Sequence, residues 1–156
     1  MKSKLIPRIL FVATVIWIVL IFTLSSQNGA ETAKTSLGVA ETLANLFYIN
    51  PSQQQILQMH LDIRKFAHVF LFFILGVLII ELLVHMSKLK SLSINHILIA
   101  CMLTSTCGFL DEWYKQFIDG RHFQIDEALL NIIAGLTGIL LVMIYHCIKS
   151  RKMKPN

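Results

Sequence analysis

Four long apolar runs dominate this sequence and restrict what the chain can fold into. They cover residues 9–24, 66–85, 94–110 and 128–148 of a chain of 156 residues. A helix needs about 20 apolar residues to cross the ~30 Å hydrocarbon core of a bilayer, and each run is close to that length. Four such spans occupy nearly half of the chain, so no large extramembrane domain fits. The sequence therefore predicts an all-α, polytopic membrane protein in which residues 1–156 form a single domain with four transmembrane helices.

The composition agrees with a membrane protein and argues against nucleic-acid binding. Hydrophobic residues make up 55% of the chain and charged residues 15%, whereas soluble domains carry about 25% charged residues. The net charge is +5, but too few polar residues lie outside the runs to form a basic nucleic-acid-binding surface. The three cysteines lie within apolar runs and lack the spacing of a metal site. We therefore predict no nucleic-acid partner, no metal site, no cofactor and no disulfide.

The distribution of Lys and Arg predicts how the chain is oriented in the membrane. Four spans place both termini on the same side, and nine of the 14 basic residues fall on that side. Because cytoplasmic segments hold the excess of Lys and Arg, we expect both termini in the cytoplasm. The first run, residues 9–24, is longer than the apolar core of about 7–15 residues in a cleavable signal peptide. We therefore expect it to stay in the membrane as an anchor.

The segment between the first two runs predicts an amphipathic helix on the outer side of the membrane. Residues 36–48 place apolar side chains on one helical face, which consists of Leu37, Ala40, Leu43, Ala44 and Phe47. Such a helix lies in the plane of the membrane interface. Asn50-Pro51 is expected to end it. Ser52 and Gln55 then have the capping-box spacing of a new helix that runs toward the second span.

Three ionisable residues begin the second span. Arg64 and Lys65 precede His68 by four and three residues, so the three side chains share a helical face. Arg and Lys near a span end also extend to lipid headgroups without a specific ligand, and a lone His in a bundle commonly packs with one hydrogen bond. An ionisable residue within a span is nevertheless a functional-site hypothesis.

A second polar group ends the third span and begins the fourth. Asp111 and Glu112 directly follow the third run, and Arg121 follows the turn Asp119-Gly120, where Gly120 can adopt a positive φ. Arg121 is expected to project either back over the two acids or outward to an anionic headgroup. Glu127 and Asn131 share a face of the fourth span. Asn131 suits a hydrogen bond between helices, and Glu127 is stabilised by the helix dipole.

Small residues predict where the spans pack closely. The fourth span carries Ala134, Gly135 and Gly138, and the second carries Gly76. Small residues at this spacing allow two helix backbones to approach each other. We expect these positions to be packing sites rather than ligand contacts.

In their order along the chain, these motifs resemble the VanZ-like family of small bacterial membrane proteins. Phe22-Thr23-Leu24-Ser25-Ser26-Gln27 is similar to the family's F-x-x-S-S-Q, and Arg64-Lys65-Phe66-Ala67-His68 with Leu75-Gly76 is similar to R-K-x-x-H followed by L-G. The most specific motifs are Asp111-Glu112-Trp113, Phe117, Gly120-Arg121, an acid before Asn131, and Gly135-x-x-Gly138. The resemblance extends from the first span to the last.

The chain departs from the family pattern at several polar positions. Relatives usually carry Glu and Tyr where this chain has Leu71 and Phe72, and the Gln of the D-E-x-x-Q pattern falls on Lys115. Glu127 stands where Asp is commoner. The fold inference rests on the spans and glycines and is unaffected, whereas the polar partners of His68 differ from the family's.

The resemblance implies a bacterial cytoplasmic-membrane protein of the cell envelope and, through the founding member, lower sensitivity to teicoplanin-type lipoglycopeptides. The leading hypothesis is an outward-facing cluster that binds a lipid headgroup or a lipid-linked envelope component, with a lipoglycopeptide antibiotic as a further candidate ligand. In this hypothesis Arg64, Lys65 and Arg121 hold phosphate. Asp111, Glu112 and Glu127 orient the cations or accept hydrogen bonds. Asn131 belongs to the same candidate binding set.

Two alternatives remain open at this stage. The first is an enzyme that acts on a lipid-linked substrate, with His68 as general base or nucleophile and Asp111 or Glu112 setting its tautomer. No motif in the sequence names a reaction. The second is a structural bundle whose polar groups only hold the helices together. The sequence leaves the oligomeric state open.

Overall fold

The computed structural model describes residues 5–27, 37–43, 45–46, 52–87 and 91–152, and within them helices are the only regular secondary structure. The four long helices are α1 (Leu5–Ser25), α2 (Gln53–Met86), α3 (Ile94–Lys115) and α4 (Ile125–Lys152). All four are long and apolar enough to cross a membrane. The prediction of an all-α protein with four membrane spans is confirmed.

Helix α2 is much longer than its apolar run because a capping box starts it early. The Ser52 side chain accepts a hydrogen bond from the Gln55 backbone, and the Gln55 side chain accepts one from the Ser52 backbone. These two bonds satisfy amide groups that a helix N-terminus leaves unpaired. The predicted capping box is therefore confirmed, and α2 continues without a break from Gln53 to Met86.

The predicted interfacial helix is helical wherever the structure describes it. Residues 37–43 and 45–46 are helical, and Ala40, on the predicted apolar face, is fully buried. Ala44, Phe47 and the Asn50-Pro51 stop signal lie outside the described residues.

Close backbone contacts join α2 and α4. A Cβ atom added at Gly76 would lie 2.1 Å from the backbone oxygen of Gly135, and one added at Gly138 would lie 2.2 Å from the backbone oxygen of Phe73. No side chain fits at such distances, so these glycines allow the two helices to touch. The surrounding core contains buried Phe72, Leu75, Ile79, Ile80 and Ile139.

Helix α1 is held more loosely than the others. Only Thr14, Ile21 and Ser25 are buried along its length. The Trp17 indole donates a hydrogen bond of 2.9 Å to the Leu71 backbone oxygen of α2. A long-range contact at the end of α1, described below, supplies a second attachment.

The helices run alternately up and down, so the end of α1, the first half of α2, the end of α3 and the start of α4 meet at one end of the bundle. Hydrogen bonds and ion pairs connect residues of all four helices there. We call this region the polar end, and its residues are Ser25, Arg64, Lys65, His68, Asp111, Glu112, Lys115, Arg121, Glu127 and Asn131. It brings together the two polar groups that the sequence singled out.

Candidate functional site

A buried lysine lies at the centre of the polar end. The Lys115 side chain is 1% exposed, and its Nζ atom lies 3.2 Å from Glu127 Oε2 and 3.8 Å from Asp111 Oδ2. It also donates a hydrogen bond to Glu112 Oε2. Asp111, Glu112 and Lys115 are close together because they occupy one turn of α3, while Glu127 comes from the first turn of α4. One ammonium group thus ties three carboxylates on two helices.

The formal charges of the polar end balance. Three carboxylates face three cations, because Arg64 and Arg121 lie near the same acids as Lys115. Arg64 Nη2 lies 4.0 Å from Glu127 Oε2. A buried charge without a partner is strongly destabilising, so the balance explains how so many ionised groups are accommodated at the end of an apolar bundle.

Arg121 turns back into the bundle and contacts the end of α1. The turn before it contains Gly120 at φ 74°, as expected for a glycine in that position. Arg121 is 7% exposed, and its Nη1 atom donates a hydrogen bond of 3.0 Å to the backbone oxygen of Ser25. Of the two predicted directions, the side chain takes the one toward the cluster. Burial lowers the pKa of the Arg121 guanidinium, and nearby Arg64 adds to that lowering.

The loop between α3 and α4 is hydrogen-bonded to the polar end. The backbone amide of Gln124 donates a hydrogen bond of 3.1 Å to Glu112 Oε1. Glu112 therefore binds Lys115 with one oxygen and the loop with the other. This double role fixes the position from which α4 begins.

His68 and Arg64 form the side of the polar end that α2 contributes. His68 Nδ1 lies 4.0 Å from Asp111 Oδ2, which is too long for a hydrogen bond. Lys65 is exposed beside them. A small cavity of about 10 Å³ lies at this point, lined by Arg64, Lys65, His68, Glu127, Leu130 and Asn131. Its volume suits about one water molecule or one small polar group.

Several buried polar atoms around this cavity have no hydrogen-bond partner among the described residues. They include Arg64 Nε, His68 Nδ1 and both polar atoms of the Asn131 amide. Behind them, Thr104 Oγ1 also has no hydrogen-bond partner among the described residues. Most buried polar groups in proteins are hydrogen-bonded to protein or to ordered water, so these atoms require a polar partner in the cavity, either a water molecule or a polar group of a ligand.

The structure brings nearly all of the predicted site residues together. Seven of them lie within the cluster or line its cavity, namely Arg64, His68, Asp111, Glu112, Arg121, Glu127 and Asn131. Lys65 lies at the exposed rim of the cavity. Gly76, Ala134, Gly135 and Gly138 lie where α2, α3 and α4 pack. Within the described part of the chain, no group of three His, Cys, Asp or Glu residues could hold a metal ion.

Sequence reasoning missed two residues of the site. In the sequence, Lys115 stands out only as a departure from a family motif, yet in the structure it is the centre of the ion-pair network. The signal was a lysine three and four residues after two acids in apolar surroundings. Ser25, which was recognised only as part of a motif, receives the Arg121 hydrogen bond.

A smaller polar group lies at the opposite end of α2 and α4. Glu81 Oε1 lies 3.2 Å from His146 Nε2, and Glu81 Oε2 lies 3.3 Å from His85 Nδ1. The Glu81–His146 contact joins two helices across the bundle, which the sequence did not predict.

Comparison with known proteins identifies the family of the chain. Residues 10–146 match the sequence model of the VanZ/LLP1 family, which covers all four helices except the outer turns of the first and last. No curated protein and no solved structure matches the chain. The match contains every residue of the polar end. This four-helix membrane protein is therefore a member of the VanZ/LLP1 family.

Proposed function

We propose that this protein acts in the bacterial cell envelope by binding the phosphate-bearing headgroup of a lipid or lipid-linked envelope component at its polar end. One observation carries the proposal: the buried, unpartnered polar atoms of Arg64, His68 and Asn131 surround a single cavity. The phosphate is proposed to lie outside the cavity at its rim, where its oxygens accept hydrogen bonds from Arg64, while one headgroup hydroxyl enters the cavity and pairs with the Asn131 amide. The ligand thereby satisfies the atoms that the protein leaves unpartnered.

The direct contacts to phosphate are assigned to Arg64 and Lys65. Arg64 is partly exposed and reaches its nearest carboxylate only at 4.0 Å, and Lys65 is exposed at the cavity rim. Lys115, by contrast, is enclosed by three carboxylates and retains little attraction for an anion. Guanidinium groups match phosphate geometry, and ammonium groups add charge.

The remaining charged residues position the contacts. Glu127 lies between Arg64 and Lys115 and sets where the guanidinium sits. Arg121 holds the end of α1 against the cluster. These interactions strengthen in the lowered dielectric at the membrane edge. Because they hold Arg64 in place before the ligand arrives, they make headgroup binding tighter.

The biological setting follows from the predicted orientation. With both termini in the cytoplasm, the polar end faces the outer leaflet of the cytoplasmic membrane, where envelope components are exposed to antibiotics. Binding of such a component is proposed to lower sensitivity to teicoplanin-type lipoglycopeptides, in line with the association of the family's founding member. The lipid component is the proposed ligand, and direct binding of the antibiotic is an outcome that the experiments below distinguish.

The proposal can be tested by native mass spectrometry of the detergent-purified protein with matched lipid pairs. The pairs are phosphatidic acid with its diacylglycerol, and farnesyl phosphate with farnesol. We expect the protein to retain the phosphate member of at least one pair over its neutral counterpart. Loss of a charge-assisted hydrogen bond in Arg64→Gln weakens that retention by about tenfold or more. Lys149→Gln is the control, because Lys149 is an exposed lysine at the opposite end of α4.

Equal retention of the phosphate and neutral lipids, or equal binding by Arg64→Gln and the control, would overturn the proposal. A teicoplanin assay in cells that depend on this protein then relates binding to phenotype. We expect Arg64→Gln to raise sensitivity at unchanged protein level in the membrane. If teicoplanin itself binds the purified protein while neither lipid phosphate does, the lipid is not the ligand.

The contact between His68 and Asp111 favours a second candidate function, an enzyme acting on a lipid-linked substrate. Asp111 is fully buried and lies 4.0 Å from the ring nitrogen, and catalytic hydrogen bonds are often long before substrate binds. In this case His68 acts as base or nucleophile. If the protein is an enzyme, His68→Gln abolishes turnover of a lipid-linked substrate while lipid retention persists. If the protein only binds lipid, neither the wild type nor His68→Gln turns the substrate over.

A further inference from the structure

An apolar groove on the outside of the bundle lies beside the polar cavity. It runs between α2 and α4, has a volume of about 260 Å³ and is lined by Phe66, Val69, Phe70, Phe73, Leu130, Ile133, Ala134 and Thr137. Phe66, Phe70 and Ile133 are exposed. Three aromatic rings on α2 thus face branched and small side chains on α4.

The groove and the polar cavity are adjacent. Leu130 lines both of them. On α2, Phe66 directly follows Lys65 and Val69 directly follows His68, so the groove begins where the cations end. Arg64 and Lys65 therefore lie just beyond one end of the groove.

We propose that the ligand of this site is a single-chain lipid phosphate, whose hydrocarbon chain lies in the α2–α4 groove while its phosphate contacts Arg64 and Lys65. This inference rests on the proposed function, since it specifies the lipid whose phosphate the polar end binds. The positive charge of the cavity rim matches the phosphate, and the apolar lining of the groove matches the hydrocarbon chain.

The packing of α2 against α4 favours one chain over two. The glycine contacts bring the two backbones together, with Gly135 directly against Gly76. Ala134 is buried at the base of the groove, and it leaves room beside that contact. The groove follows the line along which these two helices meet, and its volume of about 260 Å³ limits how much hydrocarbon it takes up, so a second chain of a glycerolipid would lie outside it.

The test measures retention of farnesyl phosphate, phosphatidic acid and inorganic phosphate by the full-length protein in detergent. We expect farnesyl phosphate to bind about tenfold more tightly than phosphatidic acid, and inorganic phosphate to bind most weakly. Thr137→Trp fills the groove and is expected to weaken farnesyl phosphate binding by about tenfold. Thr137 is exposed and its hydroxyl bonds only within α4, so the change is compatible with folding.

Two further variants make the result specific. Leu141→Trp is the matched control, because Leu141 is equally a lipid-facing residue of α4 but does not line the groove. Phe70→Ala removes groove surface instead of filling it and is expected to weaken binding of the same lipid. Both substitutions fall on exposed positions, so neither disturbs the core.

The outcomes separate this inference from the proposed function. If phosphatidic acid binds as tightly as farnesyl phosphate, or if Thr137→Trp binds like Leu141→Trp, the single-chain groove is wrong. The proposed function still stands in that case provided that Arg64→Gln weakens lipid phosphate binding. If Arg64→Gln also has no effect, both proposals fail.

Discussion

Replacement of Lys115 by Met is the sharpest test of the ion-pair network. The substitution keeps a long apolar side chain but leaves Asp111, Glu112 and Glu127 with one cation fewer. Because Lys115 is 1% exposed, water cannot take over its role. We expect the variant to be folded but markedly less stable.

The expected magnitude follows from the distances. At an effective dielectric constant of about 20, the attraction of Lys115 to Glu127 at 3.2 Å is ~5 kcal/mol and that to Asp111 at 3.8 Å is ~4 kcal/mol. Desolvation of the buried ammonium offsets much of this attraction. Removal of one partner from a buried ion pair costs about 3–5 kcal/mol, and we expect a loss of free energy of unfolding in this range.

The measurement is reversible unfolding in mixed micelles, followed by circular dichroism as the denaturing detergent fraction rises. Lys149→Met is the control, since the exposed Lys149 should change stability by less than about 0.5 kcal/mol. The double variant Lys115→Met with Glu112→Gln removes one excess carboxylate and should recover part of the loss. If Lys115→Met is as stable as the control, or the double variant is the least stable of all, the network does not stabilise the fold as argued.

Three further predictions test the packing, the attachment of α1 and the topology. Gly76→Ala places a Cβ 2.1 Å from an α4 backbone oxygen and should lower the free energy of unfolding by about 2–3 kcal/mol. Gly38 has open space around it, so Gly38→Ala should not lower that free energy. Equal effects of the two substitutions would contradict the backbone contact. Arg121→Gln should lower the free energy of unfolding by about 1–3 kcal/mol through loss of the hydrogen bond to α1, and wild-type stability in the same unfolding assay would refute that role. A cysteine at Asp119 should react with an impermeant thiol reagent in intact cells and one at Lys149 should not; the reverse pattern would invert the orientation.

The fold was largely predictable from the sequence because bilayer thickness sets helix length. The apolar runs gave each span, and the Ser52–Gln55 spacing gave the start of α2. What the sequence left unspecified was whether the helix that starts there continues into the second span without a break, since the residues between its cap and its apolar run show no hydropathy signal of a span. A continuous helix there depends on capping and local propensity rather than on the membrane.

The site was predictable as a set of residues but not as a network. Helical spacing placed His68 with Arg64 and Glu127 with Asn131, because such pairs are local. Spacing contains no information on which side chain becomes enclosed when helices meet. The central position of Lys115 depends on Glu127, 12 residues away on another helix, and the contact of Arg121 with Ser25 spans 96 residues.

The hydrogen bond from Arg121 to the end of α1 also has a consequence for biogenesis. Helix α1 is synthesised first, yet its partner at the polar end is made 96 residues later. Until then, α1 is attached to the rest of the bundle mainly through Trp17 and α2. The first helix to enter the membrane therefore gains its contact at the polar end only after residue 121 has been made. In a chain released before that residue, the end of α1 would lack the hydrogen bond from Arg121.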